Sequence, residues 1–318
     1  MKREFILFSI LFSIAAFSFS AFGQNPVENS ISSAPPNASQ TAILLEKVGR
    51  AVQQNLDSMV RVAFTEVVRQ QQLKDDAAAK GKPQNFVYES IMTVNQSSAT
   101  GEKQPIFTRT LKSVDGKIVK NPPSPEISKC EQLNPQPVYE NPLAFLLPKN
   151  QSQYIFSSSS GEVDLDGRKT IIITVAPNPP SEPLKLVEKD DCFFLSRPLQ
   201  MIGKIWVDAA NFNVVQINWQ QNEIFSATIP KKVVKVGIVP LVRPSVTINY
   251  DSQNFTIGFR FVKFENPEQT ILLPYFSESG WLNRGAKIAG MRTRVDYTRY
   301  RLFNTNVQVS DADKDLNN

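Results

Sequence analysis

Histidine does not occur in this 318-residue chain. Its absence removes Ser-His-Asp triads, Cys-His pairs, HExxH zinc motifs and every histidine-ligated metal in one step. Cysteine is limited to Cys130 and Cys192. Two outcomes stand for that pair: one disulfide, or two separate buried thiols. A bridge would close a loop of about 60 residues and stabilise by about 4 kcal/mol in the chain-entropy model. Both cysteines lie in proline-rich or charged, loop-like segments, where burying a thiol is harder. Methionine is sparse too, at 5 residues against 21 phenylalanines, so the apolar content is aromatic and β-branched and favours sheet. An excess of acid is lacking, the formal net charge being +5. No two carboxylates are singled out by spacing or surroundings, so a glycosidase-type pair has no candidates. No catalytic residue, metal ligand or cofactor site is assigned.

The N-terminus gives an address. Lys2 and Arg3 precede "FILFSILFSIAAFSFS", and Ala21-Phe22-Gly23 presents small residues at both positions a signal peptidase reads. The pattern predicts a signal peptide over residues 1–23, cut between Gly23 and Gln24, and hence a periplasmic product. A membrane anchor is the competing reading. Its hydrophobic length is borderline, but no basic stop-transfer cluster follows. Exported proteins rarely meet nucleic acid, so the positive charge reads as solubility and attraction to anionic lipid.

Residues 24–40 are Pro/Ser/Asn-rich and read as a disordered leader. In "TAILLEKVGRAVQQNLDSM", Leu45, Val48, Val52 and Leu56 recur at helical spacing, with Thr41 as N-cap. The period then switches to two. Val60, Val62 and Phe64 alternate with Arg61, Ala63 and Thr65, predicting a strand with one buried face. Further strands are expected at 86–94, 106–114, 154–158, 168–176, 203–208, 213–220, 232–239, 245–250, 255–264 and 295–303. Asp115-Gly116 and Asp166-Gly167 are hairpin signals. "NPLAFLLPKN" supplies one short helical turn that plugs an opening, and residues 306–318 form a polar tail.

Each strand carries one apolar and one polar face, the mark of an antiparallel sheet wetted on one side. With one convincing helix to cover about eleven strands, the sheet must curl onto itself and onto that helix. The fold class expected is therefore mainly β (α+β): a strongly curved antiparallel sheet, or open half-barrel, with an N-terminal helix.

"RTLKSVDGKIV", "LLPKNQSQYIF", "VDLDGRKTIIITV" and "GKIWVDAANFNVVQINW" follow the signal and helix in an order that resembles the LolA/LolB-like superfamily of periplasmic outer-membrane lipoprotein carriers. Within it, the resemblance is to a bacterial branch with a G-x-I-W-[IV]-D strand. It spans about residues 41–305, where "NPEQTILLP" and "VDYTRYRLF" fit the closing strands. It implies a half-closed barrel holding acyl chains in an apolar cavity, a non-enzymatic role, and lipid or an acylated protein as partner, with transient membrane contact. A monomer is expected.

The residues that would line such a cavity are Phe64, Val215, Ile217, Trp219, Phe255, Ile257, Phe259 and Phe261. Packed core is the alternative for the same stripes. Trp206 should face outward with Lys204 and Asp208. Lys231, Lys232 and Lys235 read as headgroup contacts or as a solubilising sheet edge. Asp311, Asp313 and Asp315 open like a calcium loop but lack its glycine and closing glutamate. "SSSSG" at 157–161 has no base to activate a serine and reads as a strand end.

Overall fold

The computed structural model describes residues 38–58, 61–96, 103–120, 142–180, 182–190, 192–236, 239–265, 268–286 and 289–302. Gly23, Gln24, the leader up to residue 37, Cys130 with its proline-rich segment, and the C-terminal tail lie outside the described residues.

One helix, α1 (Ala38–Ser58), precedes the strands β1 (Val62–Leu73), β2 (Gln84–Gln96), β3 (Lys103–Val114) and β4 (Lys117–Ile118). A 3-10 turn (Ala144–Leu146) and the short α2 (Pro148–Gln151) lead into β5 (Tyr154–Leu165) and β6 (Arg168–Pro177). Then come β7 (Leu186–Lys189), β8 (Cys192–Leu195), β9 (Met201–Asp208), β10 (Val214–Gln221) and β11 (Phe225–Ile229). The chain continues with β12 (Lys232–Val236), β13 (Val239–Arg243), β14 (Val246–Glu265), β15 (Glu268–Arg284) and β16 (Gly290–Leu302). Twelve strands build a single antiparallel sheet in the order β4-β3-β2-β1-β16-β15-β14-β10-β9-β6-β5, with β11 also on β14. The sheet is strongly curved and does not close, the open half-barrel expected from the alternating strands.

Local chemistry explains the hairpins. Asp115 and Gly116 adopt φ of 48° and 78°, and Asp166 and Gly167 adopt 53° and 80°. These left-handed pairs are what two-residue turns between right-twisting strands require. Between β9 and β10, the Asp208 carboxylate accepts the N–H groups of Ala210 and Asn211 at 2.9 and 3.2 Å, replacing lost ladder bonds.

Besides the unanticipated short strands β7, β8 and β11, five features differ from expectation. α1 begins at Ala38, so Thr41 lies inside the helix and is not its cap. Its hydroxyl instead meets Ser158 Oγ at 2.9 Å. β1 is buried on both faces at its start, since Val62, Ala63, Phe64, Thr65 and Glu66 are all enclosed. The two strands expected at 245–250 and 255–264 are one, β14. The strand expected at 232–239 is a pair, β12 and β13. β15 was anticipated only over its first half, where "NPEQTILLP" fitted a closing strand; its continuation was not, because "TILLPYFSESGWL" runs apolar through a proline. Pro274 is tolerated where β15 has left β16, whose pairing with it starts only at Phe276–Asp296.

That departure splits the sheet and creates two cores. One lies under α1 on the concave face. The second fills the wedge between the β14–β15 arm and β1, β2 and β16, with Val62, Phe64, Met92, Phe264, Ile271 and Leu273. Ile271 and Leu273 enter this wedge while Leu272 enters the concave core, so both faces of the arm are buried. The Tyr300 hydroxyl donates to the Pro274 carbonyl across the split.

Candidate functional site

α1 lies across the concave face. Leu44, Leu45, Val48, Val52 and Leu56 form its buried stripe at the spacing read from the sequence. Facing them are Ile173 and Val175 of β6, Ile205 and Val207 of β9, Ile217 of β10, and Ile257 and Phe259 of β14. The turn before α2 inserts Phe145 and Leu146 from one end, as the helical-turn reading required. Gly49 admits it: a Cβ there would stand 3.0 Å from both the Leu146 carbonyl and Gln151 Nε2. A mid-helix glycine costs about 1 kcal/mol of propensity, and close approach of this turn is its physical reason.

Aromatic rings line the rim of the core. Phe145 stands edge-on to Trp219 at 5.0 Å and to Tyr154 at 5.6 Å. Trp219 has room because its register partner is Gly203. The Lys47 ammonium sits 4.6 Å from the Phe212 ring centre, capping the same face from the helix.

Short polar links hold α1 near its ends. Besides the Thr41–Ser158 pair, Asn55 Nδ2 donates to Asn213 Oδ1 at 2.8 Å, and Gln269 Nε2 donates to the Ser58 carbonyl at 2.8 Å. Between these ends the helix rests mainly on apolar side chains, with one further link from Gln151 Nε2 to the Leu45 carbonyl at 3.3 Å. Among the described residues the one fully buried charged side chain is Glu66, and it is on β1, away from α1.

Of the eight cavity candidates, Ile217, Ile257 and Phe259 are in the concave core, and Trp219 and Phe255 pack against it. Val215 does not join them. A register shift between Val214 and Gln216 turns Val214 inward in its place. Phe261 is 41% exposed. Phe64 belongs to the wedge core, edge-on to Tyr297 at 5.8 Å. Trp206 is half-buried beside exposed Lys204, with Ile172 and Gln216 as its cross-strand neighbours. The residues missed were those contributed by the helix itself, by β6 and by β9. Their signals were the helical stripe and the run "TIIITV", which was read as a strand but not as lining.

The wedge holds the second notable constellation. One Glu66 oxygen accepts the Ser90 hydroxyl and the other accepts Arg109, whose guanidinium stacks 4.3 Å from the Tyr88 ring centre. Tyr297 shares a 3.1 Å hydrogen bond with Ser277, and burial pushes its phenol up to about 12. Both carboxylate oxygens being taken, the cluster satisfies a buried charge and anchors the split sheet. At the far end of the same strands, Gln70, Gln72, Gln84, Lys80, Lys82 and Met291 line a polar groove of about 240 Å³. Among the described residues, no group of three or more Cys, Asp or Glu side chains is placed to hold a metal ion. Among the same residues, no helix is long and apolar enough to cross a membrane.

No family model matches the chain. No curated protein matches it either. Among solved structures it is similar to a DUF1329 family protein from Desulfovibrio piger, at 9% identity over 86% of this chain and 95% of that one, TM-score 0.34. It is also similar to a LolA superfamily protein from Nitrosomonas europaea, at 9% identity over 83% and 94%, TM-score 0.28. A third is the Mycobacterium tuberculosis lipoprotein LppX, at 11% identity over 57% and 89%, TM-score 0.26.

Proposed function

We propose that this is an exported, periplasmic, non-enzymatic protein that takes up the acyl chain of a lipid or acylated protein on its concave face, with α1 as a displaceable cover. One observation carries the reading. A largely aliphatic trough with no buried charge among the described residues is closed by a single helix tied down by a few neutral hydrogen bonds, most of them near its ends. Such a wall offers no directional recognition, which suits a flexible apolar chain.

Magnitudes make the exchange feasible. Uncovering five aliphatic side chains costs about 8–15 kcal/mol, and burying an acyl chain of about sixteen carbons returns about 12 kcal/mol. Two terms of similar size allow loading and release. A mature chain mixed with lysophosphatidylethanolamine below its micellar concentration should show a raised melting temperature. Native mass spectrometry after mild purification should show retained lipid. Neither a shift nor an adduct would remove the reading.

A second reading is favoured by one feature. Val48, Leu146, Ile173, Val175, Ile205, Val207 and Ile217 are fully enclosed, as in a solid core. An envelope scaffold that binds no lipid would give the negative result in both measurements.

A further inference from the structure

Trp219, Phe255, Ser279, Thr293, Gln70 and Gln84 are successive cross-strand partners on β10, β14, β15, β16, β1 and β2. Directly opposed residues of an antiparallel sheet share a face. The row therefore runs along the concave face from the aromatic rim of the trough to the polar groove. Its chemistry changes in order. Two rings packed against the core give way to two half-buried hydroxyls, and these to two carboxamides. Phe255 and Gln70 stand three strand spacings apart, about 14 Å. One face is thus graded from apolar to polar, as an amphiphile is.

The groove at the polar end is held in shape by its own loop. Between β1 and β2 the chain folds back, and the Lys80 N–H donates to the Gln72 carbonyl at 2.8 Å. Gln71 Nε2 donates to the Lys80 and Gly81 carbonyls at 3.1 and 3.3 Å. Gly81, at φ 72°, makes the left-handed turn between Lys80 and Lys82. Among the described residues neither lysine has an ion-pair partner, and the side chains of Gln70, Gln72 and Gln84 have no hydrogen-bond partner. The loop's two acids have other partners: Asp76 Oδ1 accepts the Ala78 N–H at 3.0 Å, and Asp75 acts on Arg284. Two ammonium groups remain for an anion. Three carboxamides, each able to give and to accept hydrogen bonds, remain for hydroxyl groups. A phosphate that carries a polyol satisfies both.

We propose that this groove is the headgroup subsite of the concave face and selects lipids whose headgroup is an anionic phosphopolyol. The proposal rests on the acyl-uptake reading and adds the polar half of the ligand. Phosphate meets Lys80 and Lys82, headgroup hydroxyls meet the glutamines, and the ester and glycerol oxygens lie along Ser279 and Thr293.

Calorimetric titration of the full mature chain tests it, using monomeric lysophosphatidylglycerol and lysophosphatidylethanolamine of equal chain length. Lysophosphatidylglycerol should bind at least about tenfold tighter, at roughly fivefold per lysine, and the ratio should shrink with added salt. The Lys80→Gln/Lys82→Gln variant changes two exposed side chains. It should keep the wild-type melting temperature while its ratio falls to about one. Equal affinity of the wild type for both lysolipids overturns the proposal and leaves acyl uptake standing. A preference that the lysine variant retains does the same. If neither lysolipid binds, acyl uptake fails and this subsite fails with it. Binding of glycerol phosphate without either lysolipid also overturns it, since the groove would then serve a free anion.

Discussion

Val48→Asp should abolish the cooperative fold, costing about 4 kcal/mol or more, whereas Ile43→Asp on the same helix should change stability by no more than about 0.5 kcal/mol. Val48 is wholly enclosed among aliphatic side chains, while Ile43 is 53% exposed. A carboxylate at 48 would lose its water and find no cation in the concave core, so it must either protonate or expel the helix. At 43 it would remain hydrated. Urea titrations followed by tryptophan fluorescence measure both, and similar losses at the two positions would mean that α1 is not oriented as described.

Gly203→Ala should destabilise by about 1–3 kcal/mol, although the same change in an unconstrained strand gains about 0.5–1 kcal/mol. The sign reverses because of two neighbours. A Cβ at 203 would lie 2.7 Å from Val175 Cγ1 and 2.9 Å from Trp219 Cε3. Val175 is fully enclosed, and Trp219 is held edge-on by Phe145, so neither yields without opening the core. Tryptophan emission should shift as the indole is pushed toward the rim. A neutral or stabilising Gly203→Ala would show that the indole is free to move.

These two sites also show how much of the molecule was legible. The α1 stripe and the Asp-Gly hairpins were plain, because helical periodicity and left-handed turn residues are local properties. The open, curved sheet followed from counting one-sided strands against a single helix. Longer-range effects were not local and were missed. A one-residue shift at Val214 exchanges it with Val215, and period-two reading has no means of detecting the slip. β1 looked one-sided because Ala63 and Thr65 pass as surface residues, yet the curled sheet covers both its faces. The second half of β15 was hidden by Pro274, whose tolerance depends on the split from β16. For the candidate site, the inward face of β10 and β14 was found, but the helix that fills it was not counted among the lining. Phe64, alternating like the rest, went to a second core that exists only because the sheet divides.

The central claim is that an apolar chain and α1 compete for one trough. Hydrogen exchange at saturating lysophosphatidylethanolamine measures that competition amide by amide. Faster exchange along 38–58, with protection kept or gained in β6, β9 and β10, is the predicted result. Full protection of the helix with ligand bound would contradict it.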